Sequence, residues 1–270
     1  MRTMSLAHLT VLDADPLALI DAGAAGGFDA VGLRIVPPVA ADQMVPVVGD
    51  LPLQRAIKDR LRSTGLVILD VEAIWLTPET KVEALSPALD VGADLGARFV
   101  LICGHDPDRA RMIDNFGRLC AAANERGLRP MLEFIPYTEV RNLKSAFDVL
   151  QAAAPRDAGL LVDALHLSRS GGSPADIRQY DPALFSYMHL CDAMPTPPQG
   201  EAVRTEARGG RLYPGEGGLW LSDFLDAFPP GTPVGVEAPN ASLASLSVVE
   251  RGKLVGEATR RLLERHDRAA

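Results

Sequence analysis

Eight short apolar runs alternate with eight amphipathic stretches along almost the whole chain, and this strict order constrains the fold more than any other feature. The strand-like runs lie at about 6–12, 30–36, 66–72, 98–103, 129–134, 159–164, 185–190 and 233–238. Helical spacing of apolar residues predicts helices at about 16–25, 52–64, 79–95, 107–126, 138–153, 174–179, 219–228 and 247–266. Eight β units alternating with eight α units, at about 25 to 35 residues each, imply parallel strands. The count of eight predicts a single closed (β/α)8 barrel over residues 1–270, with an open doubly wound sheet as the competing arrangement.

Local signals agree with this division. Asp15-Pro16 and Thr77-Pro78-Glu79 place a capping residue before proline, which predicts a helix start at each. Gly65, Gly127 and Gly159 sit where helix must hand over to strand, the position of a left-handed cap. At 47% hydrophobic residues, 270 residues can bury one large core. With only 5% aromatics, small aliphatic side chains must fill it. One segment, 193–218, is too long and polar for a simple turn; long loops in compact domains usually carry function.

The formal net charge of −8 argues against nucleic acid or an anionic membrane as main partner. Cys103, Cys120 and Cys191 form no disulfide framework, and reduced thiols in a cytoplasmic setting are expected. Cys191, two residues past His189, is expected to be a small buried filler. No signal peptide and no membrane span are predicted.

Four runs end on acid/base residues: RPMLEF on Glu133, GLLVDALH on Asp163, FSYMHLCD on His189 and PVGVEAPN on Glu237. They are spaced 30, 26 and 48 residues apart, and the widest gap contains the long loop. On the fifth to eighth strands of a barrel they would converge at the C-terminal face, where barrel active sites are built. Three carboxylates and one imidazole suit a hard or borderline divalent cation, Mn2+ or Mg2+ before Co2+ or Zn2+. Other strand ends add polar candidates for a substrate wall: Arg34 in VGLRIVPP, Glu72 in LDVEAIW and His105 after LICG. Arg204, Arg208 and Arg211 in the long loop either face solvent or clamp an anionic substrate group, Arg211 first among them. His8 reads as a satisfied core histidine, and Asp192 as a residue that orients a ligand or caps the next segment.

Glu133 in LEF, D-x-x-H at 163–166, H-L-x-D at 189–192, PGEG at 214–217 and Glu237 in GVE together resemble the xylose-isomerase-like TIM barrels. This superfamily of sugar isomerases and epimerases includes ketose 3-epimerases, hydroxypyruvate isomerase, inosose dehydratase and 3-dehydroshikimate dehydratase. The resemblance implies that Glu133, Asp163, His189 and Glu237 bind one divalent metal. It also implies that Glu133 and Glu237 exchange a proton with the substrate, and that His166 contacts a substrate hydroxyl. The expected activity is isomerisation or epimerisation of a sugar, small keto-polyol or keto acid, with a dehydratase on the same scaffold as the alternative. A homodimer is compatible with this resemblance. An AP-endonuclease-like repair enzyme fits poorly with five histidines and net negative charge, and a non-catalytic sugar-binding barrel poorly with four filled ligand positions.

Overall fold

The computed structural model describes residues 2–37 and 44–269. Eight parallel strands close into a barrel in sequence order: β1 (Met4–Leu6), β2 (Ala30–Arg34), β3 (Val67–Leu76), β4 (Phe99–Gly104), β5 (Arg129–Glu133), β6 (Gly159–Asp163), β7 (Met188–Leu190) and β8 (Val234–Val236). β8 returns to β1 through the pairs Met4–Val234, Ser5–Gly235 and Leu6–Val236, so the sheet has no edge.

The outer ring begins with α1 (Pro16–Ala25), α2 (Leu51–Thr64), α3 (Ser86–Asp94), α4 (Arg109–Asn124) and α5 (Leu143–Ala153). It continues with α6 (Ala164–Arg169), α7 (Pro174–Ile177), α8 (Ala202–Gly209), α9 (Leu221–Leu225) and α10 (Val248–Ala269). Asp15 caps α1 as its sequence predicts, accepting from the N–H groups of Leu17 and Ala18. α10 lies directly on α1: a Cβ at Gly256 would stand 2.1 Å from the Gly26 carbonyl oxygen, so the backbones approach as only glycine allows.

Strand alternation divides the buried side chains into two groups. Met131 and Glu133, Leu161 and Asp163, and Tyr187 and His189 are two residues apart and share the inner face. The smaller cluster, with Ala30, Phe99, Leu101, Met131, Leu161 and Tyr187, therefore fills the barrel below the site residues. The larger one lies between sheet and helices.

The structure corrects several expected elements. The first strand stops at Leu6, and His8–Val11 forms a 3-10 turn rather than more strand. The polar groups there bind neighbouring strand ends: Thr10 Oγ1 donates to the Val236 carbonyl and accepts from the Ala238 N–H. Thr77-Pro78-Glu79 is a turn, because Thr80 Oγ1 accepts the Thr77 N–H and donates to the Trp75 carbonyl. α3 begins only at Ser86. Gly65 and Gly127 adopt positive φ, but the left-handed cap of α5 is Ala154. Gly159 instead opens β6, where a Cβ would stand 2.4 Å from the Leu184 carbonyl oxygen.

The long loop is not structureless. It carries α8, and its return is pinned by an antiparallel bridge between Asp192 and Leu212. Asp192 accepts from the N–H groups of Ala193, Gly215 and Leu219, so it caps the segment rather than a ligand.

Candidate metal and substrate site

Parallel register brings the four strand-end residues together. Cys103 pairs with Glu133, Asp163 with His189 and His189 with Gly235, while the Glu237 N–H donates to the Leu190 carbonyl just past β8. Glu133, Asp163, His189 and Glu237 are all buried, and one ligand atom from each lies within 4.8 Å of the others. His189 Nδ1 stands 3.8 Å from both Glu133 Oε1 and Glu237 Oε2. A Cβ at Gly235 would lie 2.7 Å from the His189 ring, so only glycine leaves the imidazole room here.

Glu133 Oε1 and His189 Nδ1 are buried without a hydrogen-bond partner among the described residues. Orphaned polar atoms of this kind are costly unless something satisfies them. A divalent cation would be bound by these two atoms together with the Asp163 and Glu237 carboxylates, and the donor set fits one.

The same carboxylates already have a cationic neighbour. Arg211, 1% exposed, places Nη1 2.6 Å from Asp163 Oδ2 and Nη2 2.9 Å from Glu237 Oε2. Nη1 also donates to the Glu237 carbonyl and Nε to the Ala207 carbonyl. The guanidinium expected to clamp a substrate anion is thus turned onto the candidate ligands. Cys191 is buried beside it, 3.6 Å from Nη1.

Electrostatics separate the carboxylates. Burial alone would raise the Asp163 carboxyl, but Arg211, with His166 and His189, outweighs it and holds the group down at about 2. Glu133 is pushed well above the usual range by burial, then by the charge of Glu237. Among the described residues its hydrogen-bond donor is the Cys103 thiol, 3.5 Å from Oε2.

Deeper in the barrel, Asp70 and Glu72 of β3 form a second acidic pair within 4.8 Å of His189. Burial raises Asp70 to about 7 and Glu72 to about 8. Tyr187 donates its hydroxyl to Asp70 at 3.1 Å, and Glu72 Oε1 accepts the His8 N–H at 2.5 Å.

Above the four residues opens a small cavity, roughly 40 Å³, whose walls include Arg34, Trp75, Tyr137, His166, Arg208 and Arg211 along with Glu133 and Glu237. His166 sits on the first turn of α6, its N–H donating to Asp163 Oδ1, with Nδ1 buried and unpartnered. Burial lowers its imidazole to about 4, so it is neutral near pH 7. His105 is exposed and packs edge-on against Trp75, outside the cavity wall. His8 is the satisfied core histidine expected: Nε2 pairs with the Ala14 carbonyl and Nδ1 accepts the Arg34 N–H.

Asp70, Cys103 and Tyr137 escape the sequence reading. Asp70 had a usable signal, since it stands two residues before Glu72 on the same strand face. Cys103 and Tyr137 had none.

The sequence matches the profile of the xylose isomerase-like TIM barrels over residues 20–265. The chain belongs to this family. A curated 3-dehydroshikimate dehydratase from Pseudomonas aeruginosa is 27% identical over 150 residues, covering 53% of this chain; the match spans only 23% of that longer protein. Among solved structures, the IolI protein with a bound zinc atom superposes with TM-score 0.77 at 16% identity, covering 98% of this chain and 99% of that one. D-allulose 3-epimerase from Methylomonas sp. gives TM-score 0.69 at 18% identity, with 98% of each chain covered. At these identities the structural likenesses establish the fold alone. No helix among the described residues is long and apolar enough to cross a membrane.

Proposed function

We propose that this member of the xylose isomerase-like family is a divalent-metal-dependent isomerase or epimerase that moves a proton next to a carbonyl in a small sugar or keto-polyol. The observation that carries the reading is the placement of Glu133 and Glu237. Both line one cavity and both stand 3.8 Å from the same imidazole nitrogen, Glu133 at the end of β5 and Glu237 just past β8. A substrate carbon between them would meet one carboxylate as base and the other as acid.

Glu133, Asp163, His189 and Glu237 would hold the cation, Mn2+ or Mg2+ in preference to Co2+ or Zn2+. When bound it supplies Lewis-acid polarisation of the substrate's oxygens. The neutral His166 can hydrogen-bond a substrate hydroxyl through Nδ1. Tyr137 and Trp75 form aromatic walls of the same cavity.

A second reading, elimination of a β-hydroxyl by a dehydratase, is favoured by the similarity to 3-dehydroshikimate dehydratase. Both readings begin with the same proton abstraction. Purified protein should contain one divalent ion per chain and exchange substrate α-protons with solvent deuterium, an enone absorbance marking elimination. Glu133→Gln and Glu237→Gln should each lower turnover by about 10²–10⁴ with the fold intact. Absence of a stoichiometric ion, or full activity in either variant, would overturn the reading.

A further inference from the structure

We infer that the substrate of this site carries an anionic group, a carboxylate or phosphate monoester, that seats on Arg34; the inference deepens the proton-transfer reading above and rests on it.

Arg34 ends β2 and lines the same cavity as Glu133, Glu237 and His166. It is 8% exposed, and its Nε is buried with no hydrogen-bond partner among the described residues. The other deeply placed guanidinium groups all hold a carboxylate: Arg211 holds Asp163 and Glu237, Arg169 holds Glu206, and Arg251 holds Asp13. Among the described residues Arg34 has no such ion pair. Its cross-strand neighbour Glu72 forms no ion pair with it: Oε1 accepts the His8 N–H, and Oε2 is buried without a hydrogen-bond partner among the described residues. The backbone beneath the side chain is fixed, because the Arg34 N–H donates to His8 Nδ1.

A buried, unpaired guanidinium facing a cavity is costly to keep unless an anion arrives to pair with it. Its planar fork matches the paired oxygens of a carboxylate or phosphate. Arg208, exposed on α8, adds a second positive charge at the cavity rim. On a chain of net charge −8, such local positive charge is what would draw an anion to this one place. Arg211 cannot serve in its stead, since both its terminal nitrogens are engaged by Asp163 and Glu237.

The test is titration calorimetry of the metal-loaded protein with three unreactive probes of one carbon skeleton: glycerate, glycerol 3-phosphate and glycerol. At least one anionic probe should bind tenfold or more tightly than glycerol, and the tighter of the two identifies carboxylate or phosphate. Arg34→Gln should remove that preference by tenfold or more, and Arg34→Lys should retain part of it. Equal binding of glycerol and both anions overturns the inference without any variant. So does an Arg34→Gln protein that folds and binds the anions as the parent does. Arg34-dependent anion binding without deuterium exchange on any anionic carbonyl compound would instead sink the proton-transfer reading. Exchange on neutral ketoses with no anion preference would sink only the present inference.

Discussion

Replacing Arg211 by methionine tests how the buried charges are balanced. The side chain is fully enclosed and is paired at 2.6 Å with Asp163 and at 2.9 Å with Glu237. Asp163 is held at about 2 against an ordinary 3.8, and at 1.36 kcal/mol per unit this is roughly 2–3 kcal/mol of charge stabilisation, to which Arg211 is the largest favourable contributor. The Glu237 contact adds to it, and breaking one partner of a buried pair generally costs about 3–5 kcal/mol. In the presence of a chelator, Arg211→Met should therefore lose about 3–5 kcal/mol, equivalent to a melting temperature lower by roughly 6–20 °C. A bound divalent cation would neutralise the same two carboxylates, so with excess Mn2+ the loss should shrink by about 2–3 kcal/mol. The thermodynamic cycle then requires the variant to bind the cation about 100-fold more tightly than the parent. Urea unfolding followed by circular dichroism, with EDTA and with MnCl2, measures both arms, and calorimetric metal titration checks the cycle. A loss below about 1 kcal/mol with EDTA, or the same loss under both conditions, would refute the view that Arg211 and the cation act on one set of charges.

Two further predictions are more local. Burial depresses His8 from 6.5 to about 4, so the unfolded chain takes up a proton first. The stability this histidine contributes is present above pH 6.5 and lost as pH falls through 4, by up to about 3 kcal/mol. His8→Gln should flatten the dependence of the urea midpoint on pH across that window, and an unchanged slope would refute the assignment. Gly235→Ala should push the His189 ring aside, because the added Cβ would lie 2.7 Å from Cδ2. Its divalent-ion content after dialysis should fall at least tenfold below the parent's, and parental content would show that His189 is not a ligand.

The four strand-end residues were readable in the sequence because each terminates an apolar run, and parallel register does the rest. Asp163 and His189 need only adjacent strands to become cross-strand partners. Arg211 was readable as a loop cation but not as their partner. Its place depends on Asp192 and Leu212 pairing at the base of α8, a contact with no local sequence signature. His105 follows β4 and so was expected at the cavity wall. β3, however, runs four residues beyond its expected end at 72, and Trp75 takes the wall while His105 packs outside it. The first strand was overextended because SLAHLTV is apolar enough for strand, while the hydrogen bonds that bend it come from Glu72, Val236 and Ala238, far along the chain. α6 was missed because six residues carry too little periodicity to be seen.

The two glutamates that would share the proton chemistry are not equivalent, and the reason lies in which strands they end. Glu237 follows β8 and faces the returning long loop, so it meets the guanidinium of Arg211. Glu133 ends β5, beside β4, and its nearest donor is the weakly polar thiol of Cys103. Burial with so little compensation drives the Glu133 carboxyl up and favours its protonated form. With a divalent cation held between them, Glu237 would keep its pairing to Arg211 and Glu133 its contact with the Cys103 thiol, so any proton they share with a substrate would be exchanged from two unlike surroundings.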